Sequence, residues 1–274
     1  MSRAAPRLGA IVRAAVCASA VVTLVACSGA VSPTATASPP TGGATSSPVP
    51  SSSSTPLPSL STPSITPAGS ASSTAAATTA DAVITRIPHA QWKRIVATGA
   101  WHPGCPVARA GLRRVAVGYH GFDGQVHRGV LVVNADVASS VATIFTGLFD
   151  RGFPIHRMRP IEDYAGDDDA SMAADNTSAF NCRRASQANA PSTASPHANG
   201  RAVDVNPYEN PWIDPRCGCF RPDSRFGAHR SGAGVVVKGG TAWTVFTRAG
   251  WTWQDNATID FQHFDTGYPS HPLA

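Results

Sequence analysis

The stretch SPHANGRAVDVNP, residues 195–207, contains a histidine and an aspartate whose side chains could bind one metal ion. Alternation along residues 202–205 predicts a strand that carries Asp204 on one face and two valines on the other. His197 precedes this strand on a loop in which Gly200 allows a sharp turn. We therefore expect the imidazole to fold back over the carboxylate.

A second stretch, IDFQHF, contains another acid and another histidine. Two histidines and one carboxylate are sufficient protein ligands for a catalytic zinc, which keeps one further position for water. A single His-Asp pair is usually a hydrogen-bonded surface pair, but two pairs in separate motifs favour a metal site. His197, Asp204 and His263 are thus candidate zinc ligands, and Asp260 is a carboxylate that could accept a proton.

The elements that must position these residues indicate an α+β domain. Residues 91–98 and 136–149 have apolar residues at helical spacing, and Asp136 is a candidate cap for the second helix. A third helix is predicted over residues 241–250.

Strands are predicted on both sides of the Asp123-Gly124 turn signal, within residues 112–134, and again over residues 155–158. Together with the helices, they predict a small antiparallel sheet with flanking helices.

The first 26 residues have the form of an export signal. Arg3, Arg7 and Arg13 precede the apolar run AAVCASAVVTLVA, which is too short for a permanent bilayer span. The run ends at Leu24-Val25-Ala26-Cys27, which resembles the bacterial lipobox, where the cysteine is lipidated and becomes the mature N-terminus. The alternative is an ordinary export signal that is cleaved at a small residue. Both interpretations predict an exported protein.

The composition of residues 27–80 predicts a flexible tether. The segment from residue 28 has no charged side chain and consists almost wholly of Ser, Thr, Pro, Ala and Gly. It cannot bury enough apolar surface to offset its chain entropy, so we expect disorder. Residues 81–274 are then long enough for one ordinary domain.

The net charge and the cysteine content limit the partners and the kinds of site that we expect for this chain. The formal net charge of +5 falls to +2 without the three leader arginines, and no basic block stands out, so a nucleic-acid partner is not expected. The exported part carries four further cysteines in an oxidising compartment: Cys105, Cys182, Cys217 and Cys219. We expect disulfides rather than half of a zinc knuckle, and the sequence leaves all three pairings open.

With these motifs in view, the chain resembles a family of zinc peptidases. SPHANGRAVD matches the pattern Ser-x-His-x-x-Gly-x-Ala-x-Asp, and DFQHF matches Asp-x-x-His-Phe, of the D-alanyl-D-alanine carboxypeptidase and L-alanyl-D-glutamate endopeptidase family (peptidase family M15). Segments similar to family members extend over residues 90–265. The resemblance implies the fold of DD-peptidase and hedgehog-like zinc domains.

The resemblance also implies a role for each matching residue. His197, Asp204 and His263 would bind Zn²⁺, and Asp260 would be the general base that activates water. Arg183 would stabilise the substrate carbonyl as it becomes an oxyanion, and Ser195 would support the site and contact substrate.

The resemblance implies peptidoglycan stem peptides as the substrate. Together with the lipobox, it implies a protein that is attached to the membrane by its lipid anchor and faces the cell wall. We expect the protein to be a monomer. The cleaved bond is left open, since carboxypeptidase and endopeptidase action use the same zinc chemistry.

Two alternatives accompany this interpretation. Arg183 could instead pair with the acidic segment 167–169, which lacks the ligand spacing of a calcium loop and is expected to be a solvated loop. The whole domain could also be a non-catalytic, zinc-containing wall-binding lipoprotein. The presence of Asp260 favours the enzyme, because a binding module does not need that carboxylate.

The chain departs from the family pattern just before the last motif. Members usually carry Gly-Trp-x-Trp-Gly-Gly followed by another Trp, whereas here the segment Gly250–Trp253 continues into Gln254-Asp255-Asn256 and reaches Asp260 early. The departure bears on substrate preference more than on the metal site. The remaining histidines have no comparable frame and are expected at the surface or in packing contacts.

We expect Cys27 to carry the lipid anchor, because it ends the lipobox-like stretch Leu24-Val25-Ala26-Cys27. Stable membrane attachment takes at least two acyl chains, and bacterial lipoproteins carry several. Cys27→Ala should move the protein from the membrane fraction to the soluble exported fraction, measured by fractionation and immunoblotting. Cys17→Ala, within the leader, is the matched control and should leave the distribution unchanged. Retention of the Cys27→Ala protein in the membrane fraction would contradict lipidation at this residue.

Overall fold

The computed structural model describes residues 79–183, 194–227, 230–254 and 259–273. The predicted export signal, Cys27 and nearly all of the predicted tether lie outside these residues, as do Arg184 and His229. No helix in the described ranges is both long enough and apolar enough to cross a membrane.

The domain consists of short helices and small sheets. Its strands are Val83–Arg86 (β1), Leu112–His120 (β2), Val126–Asn134 (β3), Arg157–Met158 (β4), Asn176–Thr177 (β5), Ala202–Asp204 (β6), Trp212–Asp214 (β7), Cys219–Arg221 (β8), Thr252–Trp253 (β9) and His263–Asp265 (β10). Its α-helices are His89–Thr98 (α1), Ala138–Phe149 (α2), Asp168–Ala173 (α3) and Thr241–Arg248 (α4), with 3-10 helices at Arg109–Gly111 and Ile161–Tyr164.

The strands form two three-stranded antiparallel sheets and two smaller ladders. One sheet has the order β1-β2-β3, and the other has the order β6-β10-β9. Strands β7 and β8 pair antiparallel, whereas β4 and β5 pair parallel. The α+β class is thus confirmed, although the strands are divided among several sheets rather than gathered in one.

The predicted hairpin within residues 112–134 is confirmed. Strands β2 and β3 pair along their whole lengths, from Leu112 opposite Asn134 to His120 opposite Val126. The connecting turn uses Gly124 with a φ of +73°, a left-handed conformation that glycine adopts without steric cost.

The main core lies between this hairpin, helices α2 and α4, and strands β6 and β10. Val203 and Val205 are fully buried there, which confirms the predicted apolar face of the strand that carries Asp204. On β10, Phe264 is fully buried and its ring stacks on Phe246 at 3.9 Å between centroids. These contacts anchor one face of β6 and β10 and leave their other face for polar residues.

Helix boundaries differ from the predictions at several points. Helix α1 begins at His89 rather than residue 91, and α4 begins at Thr241 as predicted but ends at Arg248. The predicted cap by Asp136 is wrong: Val137 is the N-cap of α2, and no side chain caps this end. Asp136 instead accepts hydrogen bonds from Arg201, at 3.1 Å from its Nε, because an ion pair with the guanidinium is available just before β6.

The acidic segment 167–169 is not the solvated loop that was predicted. The Asp167 side chain accepts a hydrogen bond from the backbone N–H of Ala170 at 3.2 Å, and therefore caps α3. Acidic residues in the first turn of a helix also interact favourably with its dipole. The predicted strand over residues 155–158 is shorter than expected, since only Arg157–Met158 pairs with a neighbour.

Both expected disulfides are present, and the structure decides their pairing. Cys105 is bonded to Cys182, 77 residues later in the chain. Cys217 is bonded to Cys219 at the turn between β7 and β8. The first bond ties the segment after α1 to the residue that precedes Arg183.

Replacing Phe264 tests how much the packing of this core contributes to the stability of the domain. Phe264→Ala removes a fully buried ring and should lower the free energy of unfolding by about 3–5 kcal/mol. Val83→Ala is the matched control on an exposed strand position and should change it by less than about 0.5 kcal/mol. Denaturant unfolding followed by tryptophan fluorescence measures both, and equal losses would contradict the described packing.

Candidate metal centre

The pairing of β6 with β10 brings together the two motifs found in the sequence. His263 lies directly opposite Asp204 in the antiparallel ladder. Directly opposed residues point to the same face, so the two side chains meet, with His263 Nδ1 3.0 Å from Asp204 Oδ1. The apolar neighbours of both residues point into the core on the other face, as the alternation requires.

His197 reaches the same point from the turn that precedes β6. Its Nε2 atom lies 3.2 Å from Asp204 Oδ2 and 3.0 Å from His263 Nδ1. Gly200 closes this turn with a φ of +66°, and a Cβ atom there would come within 2.7 Å of the backbone nitrogen of Asn134. Glycine is therefore required for the turn to pack against the end of β3.

Each imidazole has a second partner that fixes its orientation. His197 Nδ1 lies 2.6 Å from the carbonyl oxygen of Ala179, to which it donates. His263 Nε2 lies 3.0 Å from Asp265 Oδ2. Asp265 is itself held by the Gln254 side chain at 3.0 Å. Metal-binding histidines almost always donate their outer nitrogen in this way, which leaves the inner nitrogen as the ligand atom.

The donor set fits zinc. One ligand atom from each of His197, Asp204 and His263 lies within 4.8 Å of the other two, and all three residues are largely buried. Nitrogen and carboxylate donors in a set of three, with a fourth position open to a cavity, are typical of catalytic zinc.

A second cluster in the described residues, formed by His102, Cys105 and Cys182, has similar spacing. Its cysteines are disulfide-bonded, so they are not thiolate ligands.

The charges of this cluster are strongly coupled. Burial disfavours protonation of His263, but hydrogen bonds to Asp204 and Asp265 outweigh it and raise its pKa to about 10. Burial also disfavours the charged form of Asp204, and the two histidines nonetheless hold the pKa of this carboxyl well below its usual range. The His263 ring thus lies between the carboxyl groups of Asp204 and Asp265.

Asp260 lies at the edge of the same cluster, in a turn that leads into β10. Its backbone carbonyl accepts from the N–H of His263 at 3.2 Å, and it forms an isolated bridge with Trp212. Its Oδ1 atom is buried, without a hydrogen-bond partner in the described ranges. Burial raises the pKa of Asp260 to about 7, although the positive charge of His263 opposes this. A carboxyl with that pKa can both accept and donate a proton near neutrality.

Arg183 forms a buried ion pair with Asp168, through a short contact from its Nε. The alternative considered from sequence, pairing with the acidic segment, is therefore realised in the structure. Burial alone would lower the pKa of this guanidinium, but Asp168 raises it, with further contributions from Asp204 and Asp260. The charge of Arg183 thus acts on the metal cluster as well as on its partner.

Ser195 has a local structural role. Its Oγ accepts a hydrogen bond from the backbone N–H of Ala198 at 3.3 Å, and its carbonyl accepts from that of Asn199 at 3.1 Å. These bonds shape the turn that carries His197. Ser195 also borders the cavity, where it could contact a ligand.

All these groups surround one cavity of about 460 Å³. Its walls carry the predicted site residues together with aromatic, thioether and amide side chains: Asp168, Asp169, Ser171, Met172, Ser178, Arg183, Ser195, Pro196, His197, Asp204, Trp212, Gln254, Asp260, Gln262, His263, Asp265 and Tyr268. A cavity of this size accommodates a small peptide.

Sequence reasoning missed Asp265 and Gln262. Asp265 could have been found, because it lies two residues after His263 and alternation puts both on one face. Asp168 was considered only as one of three acidic residues that could pair with Arg183, and the structure identifies it as the partner. The predicted change after Trp253 falls largely on residues 255–258, outside the described ranges.

Comparison with known protein families gives one match, over part of the chain. Residues 188–266 match the model of a family described as D-alanyl-D-alanine carboxypeptidase. The matched segment includes Ser195, the three candidate ligands and Asp260, so the resemblance expected from the motifs is confirmed. No curated protein and no solved structure matches the chain. The family match supports a peptidase, and the substrate of this chain is a separate question.

Metal uptake at this site should release protons. Because the pKa of His263 is raised to about 10, this ring is protonated at pH 7 and must lose a proton to act as a ligand. Binding of Zn²⁺ should release about one proton, and apparent affinity should fall by up to about tenfold for each pH unit of acidification.

Calorimetric titration with Zn²⁺ in two buffers of different ionisation enthalpy measures this release. His127→Gln, on the exposed hairpin and outside the cavity, is the control and should release the same number of protons. Zinc binding without proton release would show that His263 does not lose a proton when the metal binds.

Proposed function

We propose that this domain is a zinc-dependent peptidase that cleaves the stem peptides of peptidoglycan. The observation that carries the proposal is the β6–β10 register, which sets His263 opposite Asp204 beside His197. Asp260 and Arg183 border the same cavity. The family match over residues 188–266 supports this class of reaction, and we infer a fold of the DD-peptidase and hedgehog-like type.

His197, Asp204 and His263 would hold the metal, with Ala179 and Asp265 orienting the two rings. Zinc held in such a set supplies a Lewis acid that lowers the pKa of a coordinated water to about 7. The rest of the mechanism depends on residues of the chain.

Asp260 is suited to move the proton of the attacking water. Burial raises the pKa of its carboxyl to about 7, so the carboxylate can take a proton at neutral pH and later give it to the leaving amine. Its backbone contact with His263 keeps it next to the proposed ligands without making it one. General acid-base catalysis of this kind typically contributes about 10²- to 10⁴-fold.

Arg183 is suited to stabilise the oxyanion that forms on the substrate carbonyl. Its ion pair with Asp168 holds the guanidinium at the cavity wall and keeps it charged despite burial. A positioned cation in a site shielded from water stabilises developing negative charge more than it would in bulk water. Asp168 is then a residue that positions Arg183, and its ion pair does not withdraw Arg183 from the substrate.

The cellular setting follows from the N-terminal sequence. We propose that the chain is exported and lipid-anchored at Cys27, with residues 28–80 as a tether. A flexible tether of this length has a root-mean-square span of roughly 40 Å, and prolines extend it. The domain could thus reach stem peptides while its anchor stays in the membrane.

Digestion of defined muropeptides by the zinc-loaded protein tests the substrate. Mass spectrometry of the products should show loss of a terminal D-Ala, or cleavage within the stem, and removal of zinc with a chelator should abolish it. Intact muropeptides after digestion with the zinc-loaded protein would contradict the proposal.

Two aspartate variants should separate chemistry from metal binding. Asp260→Ala should lower kcat by about 10³- to 10⁴-fold and retain zinc, because it removes the proton carrier alone. Asp204→Ala should lose most of the bound zinc, because it removes a ligand. Metal analysis and muropeptide hydrolysis should be measured on both. Equal zinc loss in the two variants, or near wild-type turnover of Asp260→Ala, would overturn this assignment.

A further inference from the structure

Asn181 is a buried amide two residues before Arg183, and it does not itself border the cavity. Its Oδ1 atom accepts a hydrogen bond from the backbone N–H of Arg183 at 3.1 Å. Its Nδ2 atom donates to Asp168 Oδ1 at 2.6 Å and to the carbonyl oxygen of Gly166 at 3.4 Å. One side chain thus holds the main chain of Arg183 and also the carboxylate that pairs with its guanidinium.

The chemistry of its neighbours fixes the orientation of this amide. A carboxylate and a carbonyl oxygen accept hydrogen bonds but do not donate them, so the Asn181 nitrogen must face Asp168 and Gly166. A backbone N–H only donates, so the Asn181 oxygen must face Arg183. Reversing the amide would break all three bonds in a buried site, where unpaired polar groups are costly.

The backbone of Arg183 has a conformation that requires such support. Its φ is +38°, in the left-handed region that residues with a Cβ atom rarely adopt. A conformation of this kind costs about 1–3 kcal/mol, persists only where the surrounding structure enforces it, and is concentrated at functional sites. Asn181 holds the N–H of Arg183, and His102 Nε2 donates to its carbonyl oxygen at 3.0 Å. The preceding residue, Cys182, is fully buried and disulfide-bonded.

We propose that Asn181 is a positioning residue of the active site, which acts through Arg183 by holding its backbone and the Asp168 carboxylate in one fixed geometry. The inference rests on the proposed function and adds a residue to it. Arg183 acts where negative charge develops, so its misplacement should affect the transition state more than the bound substrate. Loss of the Asn181 amide should therefore lower kcat and leave KM nearly unchanged.

Zinc binding should survive this loss. The contact of Asn181 with the turn that carries a proposed ligand uses its main chain, since its backbone N–H donates to the carbonyl oxygen of His197 at 3.3 Å. A change of side chain leaves that bond in place. A role in positioning Arg183 is thus separable by experiment from a role in the metal site.

A double-mutant cycle tests the proposal in the zinc-loaded protein. Asn181→Ala removes the amide and should lower kcat for muropeptide hydrolysis by about 10- to 100-fold, with KM within about threefold. Arg183→Ala should lower kcat by about 10²- to 10³-fold. The double variant should match Arg183→Ala within about threefold, because Asn181 then has no guanidinium to position.

Asn181→Asp repeats the cycle with a side chain of the same shape. It keeps the acceptor for the Arg183 N–H but sets a negative charge against Asp168, and it should give the same pattern. Should that charge prevent folding, the cycle with Asn181→Ala decides alone. In that cycle, a kcat loss below threefold, a loss that multiplies with that of Arg183→Ala, or a loss of zinc would overturn the proposal.

Asn176→Ala is the matched control. Asn176 is a fully buried amide that holds the backbone of another arginine, accepting from the N–H of Arg159 at 2.8 Å and donating to its carbonyl oxygen at 3.0 Å. Arg159 is largely exposed and does not border the cavity. The control should lower the unfolding midpoint, as Asn181→Ala does, but leave kcat within about threefold.

Exchange of the Arg183 Nε–H with solvent provides a readout that does not depend on turnover. NMR of protein with isotope-labelled arginine detects this hydrogen, and Arg183→Lys identifies its signal. In wild type it is bonded to Asp168 in a buried site, so its exchange should be slow. Asn181→Ala should speed the exchange by about tenfold or more, and Asn176→Ala should leave it unchanged.

The two readouts distinguish failure of this inference from failure of the proposed function. If wild type leaves muropeptides intact but Asn181→Ala speeds the exchange, the proposed function fails and the positioning of Arg183 stands. If wild type cleaves muropeptides but Asn181→Ala changes neither kcat nor the exchange, only the positioning role fails.

Discussion

The antiparallel register of β6 and β10 is the constraint on which the site depends. It sets His263 opposite Asp204 and gives both strands one apolar face and one polar face. A slip by one residue would turn each polar side chain into the core and each apolar one toward the cavity. Phe264, Val203 and Val205 resist such a slip because all three are fully buried in the main core. Packing on one face therefore determines ligand geometry on the other.

A group of buried charges depends on that register. His263 is held between Asp204 and Asp265, and Arg183 is held by Asp168. Buried ionised groups are costly unless they are paired and hydrogen-bonded. Here each charge has a partner of opposite sign, and the carboxyl of Asp260, with the weakest pairing, has a pKa raised to about 7. The arrangement thus produces groups of different acidity within one cavity.

The surrounding elements keep this polar face rigid. Gly200 lets the turn before β6 pack against the end of β3, and Ser195 bonds shape the same turn. The bond between Cys105 and Cys182 ties down the chain next to Arg183. The proposed ligands, the base and the arginine come from three separate segments of the chain, so their relative positions depend on these contacts as much as on the sheet. Precise placement of that kind is what an orienting active site requires.

The sequence by itself determined the local features. Alternation predicted β6 and its two faces, the Asp-Gly turn predicted the β2–β3 hairpin, and the two motifs identified His197, Asp204, Asp260 and His263. Each depends on residues close together in the chain, whose conformation local sterics and periodicity largely decide.

Only the tertiary structure decided which distant residues meet. The disulfide pairing, the Arg183–Asp168 ion pair and the contact of Asp136 with Arg201 all join segments far apart in sequence. Competing partners also changed local outcomes: Asp136 does not cap α2 because a guanidinium lies within reach, and Asp167 begins a helix rather than a solvated loop. Such choices are made by the free energy of contacts that exist only once the chain is folded, so local pattern alone could not predict them.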